Sequence, residues 1–185
     1  MGAFKPLLPF GDKTVIECCL DYLREGGIET RIVVLGHRAD EIRDRIKDVT
    51  VAINPDPESE MGASIAAGIK ALPETAKAVV IALVDHPAIP TRIVSTLINE
   101  WQNGVQIVVP TYQNRGGHPV LADLSFKTDL LNLDRTGGLR SFFASNQIAV
   151  KRLPVDSPFI ARDMDTWEDY CALYEEVVGH PPPGR

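Results

Sequence analysis

The chain is short of the residues that stabilise proteins in oxidising surroundings. Of its 185 residues three are cysteine, namely Cys18, Cys19 and Cys171. Two are adjacent, none stands at metal-ligand spacing, and the odd count fits reduced thiols in a cytoplasm. Long apolar runs are also missing, so no segment reads as a membrane span or a secretory signal. Positive charge is in deficit, with 19 Lys and Arg against 25 Asp and Glu and a formal net charge of −6. That balance argues against a nucleic-acid-binding surface, which is usually basic. It leaves room for a small phosphorylated ligand, because one local basic pocket suffices for that. There is no internal repeat and no linker, so residues 1–178 read as one domain and 179–185, ending His180-Pro181-Pro182-Pro183-Gly184-Arg185, as a disordered tail.

What is present is most informative at Ala78-Val79-Val80-Ile81-Ala82-Leu83-Val84-Asp85-His86-Pro87. An apolar, β-branched run of this kind suits a strand buried on both faces. Pro87 has no N–H to give and is expected to stop the ladder, leaving Asp85 where the strand emerges at its carboxyl end. Ligands of open α/β sheets bind outside those carboxyl ends. Asp85 is therefore a candidate metal ligand, and the competing reading is an aspartate that caps the following turn.

Periodicity and breakers give the order of elements. Thr14 to Arg24 carries apolar side chains at the spacing of an amphipathic helix, which Gly26-Gly27 ends. Arg31–Leu35 reads as a strand, Ala39–Ile46 as a helix, Val49–Ile53 as a strand and Ser64–Leu72 as a helix. After the strand leading to Asp85 come a helix over Ile93–Trp101 and strands over Val105–Val109 and Pro119–Ala122. Gly138–Ala144 follows as a helix, Val150–Val155 as a strand and Thr166–Val177 as a C-terminal helix. Strands alternating with helices predict a single Rossmann-like α/β domain, a mostly parallel sheet with helices on both faces.

Several segments in this order resemble the molybdenum-cofactor nucleotidyltransferase-like (MobA-like) family. They are Lys5-Pro6-Leu7-Leu8-Pro9-Phe10-Gly11, Val33-Val34-Leu35-Gly36-His37, and Asn54-Pro55 followed by Met61-Gly62-Ala63-Ser64-Ile65. Next come Asp85-His86-Pro87, Val109-Pro110-Thr111-Tyr112, Gly116-Gly117-His118-Pro119-Val120 and Asp163-Met164-Asp165-Thr166. The resemblance covers Met1 to about Tyr170 and implies the nucleotide-diphospho-sugar transferase type of fold. Family members open with a strand and a glycine-rich phosphate loop, whereas this chain opens at Met1-Gly2. The expectation is a first strand missing from the middle of the sheet. Either an internal methionine has been taken as the start, or the chain is a shortened form that is inactive or repaired by another protomer.

The resemblance also implies roles. Asp85 and Asp165 would hold Mg2+, with Asp163 competing for the second position; a helix start favoured by the dipole explains Asp165 equally well. Lys5 would meet the nucleotide phosphates, against the alternative of a solvated terminal lysine. Gly62 and Ser64 would face the base, although Ser64 also suits a helix cap, and Glu60 replaces a frequent glycine and leaves the choice between CTP and GTP open. Gly117, His118 and Pro119 would contact the acceptor, His86 would touch the acceptor or orient Asp85, and Arg115 would add a phosphate contact. His118 is equally a structural histidine tying down its loop. His37 reads as the cap of the next turn. Gly137-Gly138-Leu139-Arg140 places a helix N-terminus and a cation near the site or is a plain surface turn. Phe142 and Phe143 read as core.

The function expected is a cytoplasmic, Mg-dependent nucleotidyltransferase joining a nucleoside monophosphate from CTP or GTP to molybdopterin or a similar phosphorylated acceptor, with release of pyrophosphate. A transferase on a sugar or alditol phosphate is the alternative within the fold, and a cofactor-binding protein without turnover the alternative outside it. Neither nucleic acid nor membrane is an expected partner, and the chain is expected as a monomer or a weak homo-oligomer.

Overall fold

A computed structural model describes residues 4–36, 38–56, 60–133 and 136–184. A short hairpin, β1 (Pro9–Phe10) and β2 (Lys13–Thr14), leads into helix α1 (Val15–Glu25). The Glu17 carboxylate accepts hydrogen bonds from the Thr14 amide at 2.8 Å and its hydroxyl at 2.6 Å, fixing where α1 starts. Then come β3 (Ile32–Leu35), α2 (Ala39–Arg43), β4 (Thr50–Ile53), α3 (Met61–Lys70) and β5 (Ala78–Ile81). The second half comprises α4 (Thr91–Gln102), β6 (Ile107–Tyr112), β7 (Arg115–Gly116), β8 (Val120–Asp123), α5 (Lys127–Leu131), α6 (Gly138–Ser145), β9 (Val150–Pro154) and α7 (Trp167–Val178). Among the described residues no helix is long and apolar enough to cross a membrane.

The sheet is mixed. β6 pairs β9 in parallel, while β8 pairs antiparallel with both β5 and β6, so β5, β6 and β9 share a direction and β8 lies reversed between β5 and β6. The reversal follows from the connection: β6 turns back through Gln113 and Asn114, both in the left-handed region, and a loop this short cannot cross over to a parallel strand. β7 and β8 are one return path along β6, interrupted at Gly117-His118-Pro119. Thr111 faces Gly116, but Val108 faces Leu121, so two extra residues are accommodated at the break.

β3 and β4 pair in parallel, and among the described residues nothing pairs with the other edge of β3 or the outer edge of β5. The expectation that the Ala78 run is buried on both faces is corrected accordingly: all four residues of β5 are only partly buried. β5 also ends at Ile81, opposite Val120, and Asp85 stands in the loop four residues further on. The residue that ends the ladder is Pro119, one before Val120, rather than Pro87.

Helices cover both faces. Ile65 and Ile69 of α3, Leu130 of α5 and Leu139 and Phe142 of α6 pack on Ile107, Val109, Val120 and Ala122. On the other face Leu97 of α4 packs on Val108 and Leu121, and Cys19 and Tyr22 of α1 pack on Ile93 and Val94. Phe142 is buried and Phe143 partly so. α5 has no counterpart in the sequence reading, and α2 is shorter than predicted.

Candidate active site at the carboxyl end of the sheet

Asp85 lies in the loop beyond β5. Its side chain is 25% exposed, and one carboxylate oxygen, Oδ1, is shut off from solvent without a hydrogen-bond partner. His86 Nε2 approaches that oxygen at 3.5 Å, and the opposite nitrogen, Nδ1, lies 3.4 Å from the Phe159 carbonyl oxygen. His86 is 6% exposed, so the ring is held by its surroundings rather than free to turn. The His118 ring stands 5.8 Å from it, centroid to centroid.

His118 reaches this place because its loop is pinned from below. The His118 amide donates to the Ile160 carbonyl oxygen at 2.7 Å. A Cβ on Gly117 would stand 2.0 Å from that same oxygen, so only glycine lets the two backbones approach. Gly117 thus serves close packing within the chain. Burial, and secondarily the neighbouring His86, pushes the His118 pKa below 6.5, and its Nδ1 is buried without a partner. The ring is therefore neutral at neutral pH, a hydrogen-bonding group rather than a cation.

Two residues predicted for separate duties are joined. Lys5 Nζ sits 2.8 Å from Asp165 Oδ1, with the two side chains 27% and 68% exposed. Asp165 stands one residue before the N-cap of α7 and is not itself the cap. Thr166 is, with its hydroxyl accepting from the Asp169 amide at 3.1 Å and donating to Asp169 Oδ2 at 2.6 Å. Met164 and Val84, the neighbours of Asp165 and Asp85, belong to one apolar cluster, which brings the two acid-bearing segments together. Among the described residues no group of three or more His, Cys, Asp and Glu side chains is arranged to hold a metal.

The predicted base-facing pair lies at the start of α3. Ser64 is inside the helix rather than capping it, since Glu60 is the N-cap residue, and its hydroxyl accepts from Asn54 Nδ2 at 3.0 Å. Gly62, Glu60 and Asn54 line a cavity of about 710 Å³ whose walls also include four alanines, two leucines, Asp56 and Lys70. Arg115 is exposed on β7, and Gly138, with φ of 50°, opens α6. His37 falls outside the described residues.

Sequence reading missed the backbone supports. The carbonyl oxygens of Phe159 and Ile160 orient His86 and His118 from a short 3-10 turn, Pro158–Ala161. A main-chain carbonyl leaves no signature in the sequence. It also missed Cys19 and Tyr22, which lie beneath Asp85. Cys19 Sγ is 3.6 Å from the Val84 carbonyl oxygen, and the Tyr22 hydroxyl is buried without a partner. Desolvation pushes both groups upward, and pushes Cys18 up to about 11, so none is a thiolate or phenolate at neutral pH.

Residues 1–153 match the family described as the MobA-like NTP transferase domain. A crystal structure of Rv0371c from Mycobacterium tuberculosis is 27% identical and superposes with a TM-score of 0.84, covering 95% of this chain and 90% of that one. A homologue from Mycobacterium sp. strain JC1 is 30% identical with a TM-score of 0.83, over 97% and 90% of the two chains. A manganese complex of Rv0371C is 28% identical, with a TM-score of 0.79 over 94% and 93%. Among curated proteins, "Nicotine blue oxidoreductase" of Paenarthrobacter nicotinovorans is 26% identical over 91% of this chain and 87% of its own length. "Bifunctional IPC transferase and DIPP synthase" of Rubrobacter xylanophilus is 37% identical over 97 residues, half of this chain and 22% of that protein.

Proposed function

This chain belongs to the MobA-like NTP transferase domain family, and from that premise we propose a magnesium-dependent transferase that moves a nucleoside monophosphate from CTP or GTP to a phosphorylated acceptor of the molybdopterin kind. The observation that carries this reading is Asp85 Oδ1, a carboxylate oxygen enclosed beside two histidines with no hydrogen-bond partner of its own. An isolated carboxylate oxygen in such a place is costly unless a cation or donor satisfies it. Asp85 and Asp165 are the residues suited to hold the metal, and the manganese bound by a similar protein supports a divalent site. When bound, that ion supplies charge neutralisation on the α-phosphate and the departing pyrophosphate.

The remaining roles fall to the chain's own groups. Lys5 exchanges its Asp165 partner for a nucleotide phosphate oxygen, which a flexible ammonium can do without moving the backbone. Gly62 and Ser64 meet the base at the first turns of α3. His86, Gly117, His118 and Pro119 bound the acceptor, where neutral His118 donates one N–H to its phosphate. The acceptor's attacking oxygen is thereby held in line, the main contribution positioning can make to such a transfer.

A second reading, an alditol-phosphate acceptor, draws support from the half-chain similarity to the bifunctional IPC transferase. The oxidoreductase name of another relative sets a third outcome that the same experiment separates. Thermal shift and pyrophosphate release are measured with CTP, GTP, ATP and UTP, each with and without magnesium or manganese, on the chain and on Asp85→Asn. Metal-dependent stabilisation by CTP or GTP that vanishes in Asp85→Asn is the expected result. No response to any nucleotide, with a shift on adding a nicotinamide cofactor, would sink the transferase reading.

A further inference from the structure

The described cations that the proposed transfer leaves without a role include two around one cavity. A space of about 560 Å³ is lined by Arg140, Phe143, Ala144 and Gln147 from α6 and the turn after it, and by Val150 and Arg152 of β9. Strand alternation explains why Arg152 faces this space. Lys151 points to the other side of the sheet, where it pairs with Glu100 of α4, and Leu153 packs there beside Leu97. Val150, on the face of Arg152, packs with the cluster that contains Phe142.

The side chains of Arg140 and Arg152 have no hydrogen bond or ion pair with another described residue, and no acid among the described residues lines the cavity. That stands out in a chain of net charge −6, in which Arg38, Arg92 and Arg162 each pair with a carboxylate. Both arginines are exposed and flank an open groove between α6 and β9, with Phe143 and Gln147 beside them. Guanidinium groups present paired N–H donors that match the oxygens of a phosphate. The cavity also adjoins the acceptor loop, since Arg152 Nη1 lies 3.5 Å from where a Cβ on Gly116 would stand.

We propose that the cavity between α6 and β9 is an anion subsite, in which Arg140 and Arg152 hold a phosphate-type oxyanion of the acceptor. The word acceptor rests on the transferase reading above, whereas the anion chemistry does not. In this arrangement the acceptor lies across Gly116, with its reacting phosphate toward His118 and a second oxyanion between the two arginines. Gln147 and Phe143 contact what lies between.

The test is a titration with inorganic phosphate and, separately, pyrophosphate, followed by the side-chain Nε–H signals of arginine in 15N-labelled protein. It is run on the full chain and on Arg140→Gln, Arg152→Gln and Asp85→Asn, with nucleotide binding measured in parallel. Phosphate affinity falling at least tenfold in each arginine variant, unchanged in Asp85→Asn and with nucleotide binding within twofold of the parent, is the expected result. Arg152→Lys, which keeps the charge and loses the fork, falls between the two. Equal phosphate affinity in the parent and both arginine variants would overturn the subsite. So would pyrophosphate binding these arginines tenfold more tightly than phosphate, which would assign them to the leaving group. A chain that binds phosphate through the arginines but binds no nucleotide would refute the transferase reading and leave the anion site standing.

Discussion

Replacing Gly117 with alanine tests the packing that carries His118. The new Cβ would fall 2.0 Å from the Ile160 carbonyl oxygen and 2.5 Å from its carbon, both backbone atoms that no rotamer change can move aside. Relief requires the loop or the 158–161 turn to shift, an overpacking change that costs about 1–3 kcal/mol. The shift also stretches the 2.7 Å hydrogen bond from His118 to Ile160, whose loss adds about 1 kcal/mol. The sum, roughly 2–4 kcal/mol, corresponds to a fall of roughly 4–16 °C in Tm for a domain of this size. Gly116→Ala is the matched control. A Cβ there meets its nearest neighbours at 3.5 Å, and the residue has no left-handed φ, so the change should stay within about 0.5 kcal/mol of the parent. Urea unfolding of both variants, read by fluorescence and circular dichroism, gives the comparison. If Gly117→Ala matched Gly116→Ala, the claim that close backbone approach sets this loop would be wrong.

Thr166→Ala removes the cap of α7 and should cost about 1 kcal/mol in the same unfolding assay, while Ser substitution should restore most of it. Lys5→Ala breaks an exposed ion pair worth at most about 1 kcal/mol, so Tm should barely move while nucleotide affinity drops tenfold or more in calorimetric titration. An unchanged affinity would remove Lys5 from the site. His118 has a lower pKa folded than unfolded, so the unfolded chain takes up its proton first as the pH falls through 6.5. Its contribution to stability is complete above that pH and is lost below it, by up to about 1.4 kcal/mol per pH unit until the folded group titrates. His118→Gln should therefore flatten the stability profile between pH 5 and 7 and leave its slope above pH 7 unchanged. Unfolding at four pH values checks this, and identical slopes for both proteins would refute it.

The longer elements were legible because their signals are local. α1, α4 and α7 follow the apolar spacing of an amphipathic helix, β3 and β6 fall on the apolar, β-branched runs that mark them, and β9 on the segment read as a strand over Val150–Val155. Elements without such a signal escaped. α5 spans only Lys127–Leu131, barely more than one turn. The β6–β7 turn uses Gln113 and Asn114 in the left-handed region without the Asn-Gly pair that announces such hairpins. The site was legible in part. His86 and His118 were named with the acceptor, and the structure brings their rings together with Asp85. The pairing of Lys5 with Asp165 spans 160 positions, and the oxygens of Phe159 and Ile160 act through backbone alone. Neither kind of contact is encoded in spacing.

The break in pairing between β3 and β5 also bears on how the molecule responds to force and to ligand. Among the described residues no ladder joins β3 and β4 to the other strands of the sheet. Among the described residues, what joins its two parts is side-chain packing, including α3 laid over both, with Gly68 against Val34 and with Ile65 and Ile69 in the cluster that holds Val79 and Ile81. If the two parts open separately, amide exchange should release β3 and β4 before β6 and β8. Asn54 stands on one side of that seam, Asp85 and His118 on the other, and Ser64 on the helix that spans it. A nucleotide that touches both sides would act as a weld, raising the cost of opening the smaller part by its own binding energy.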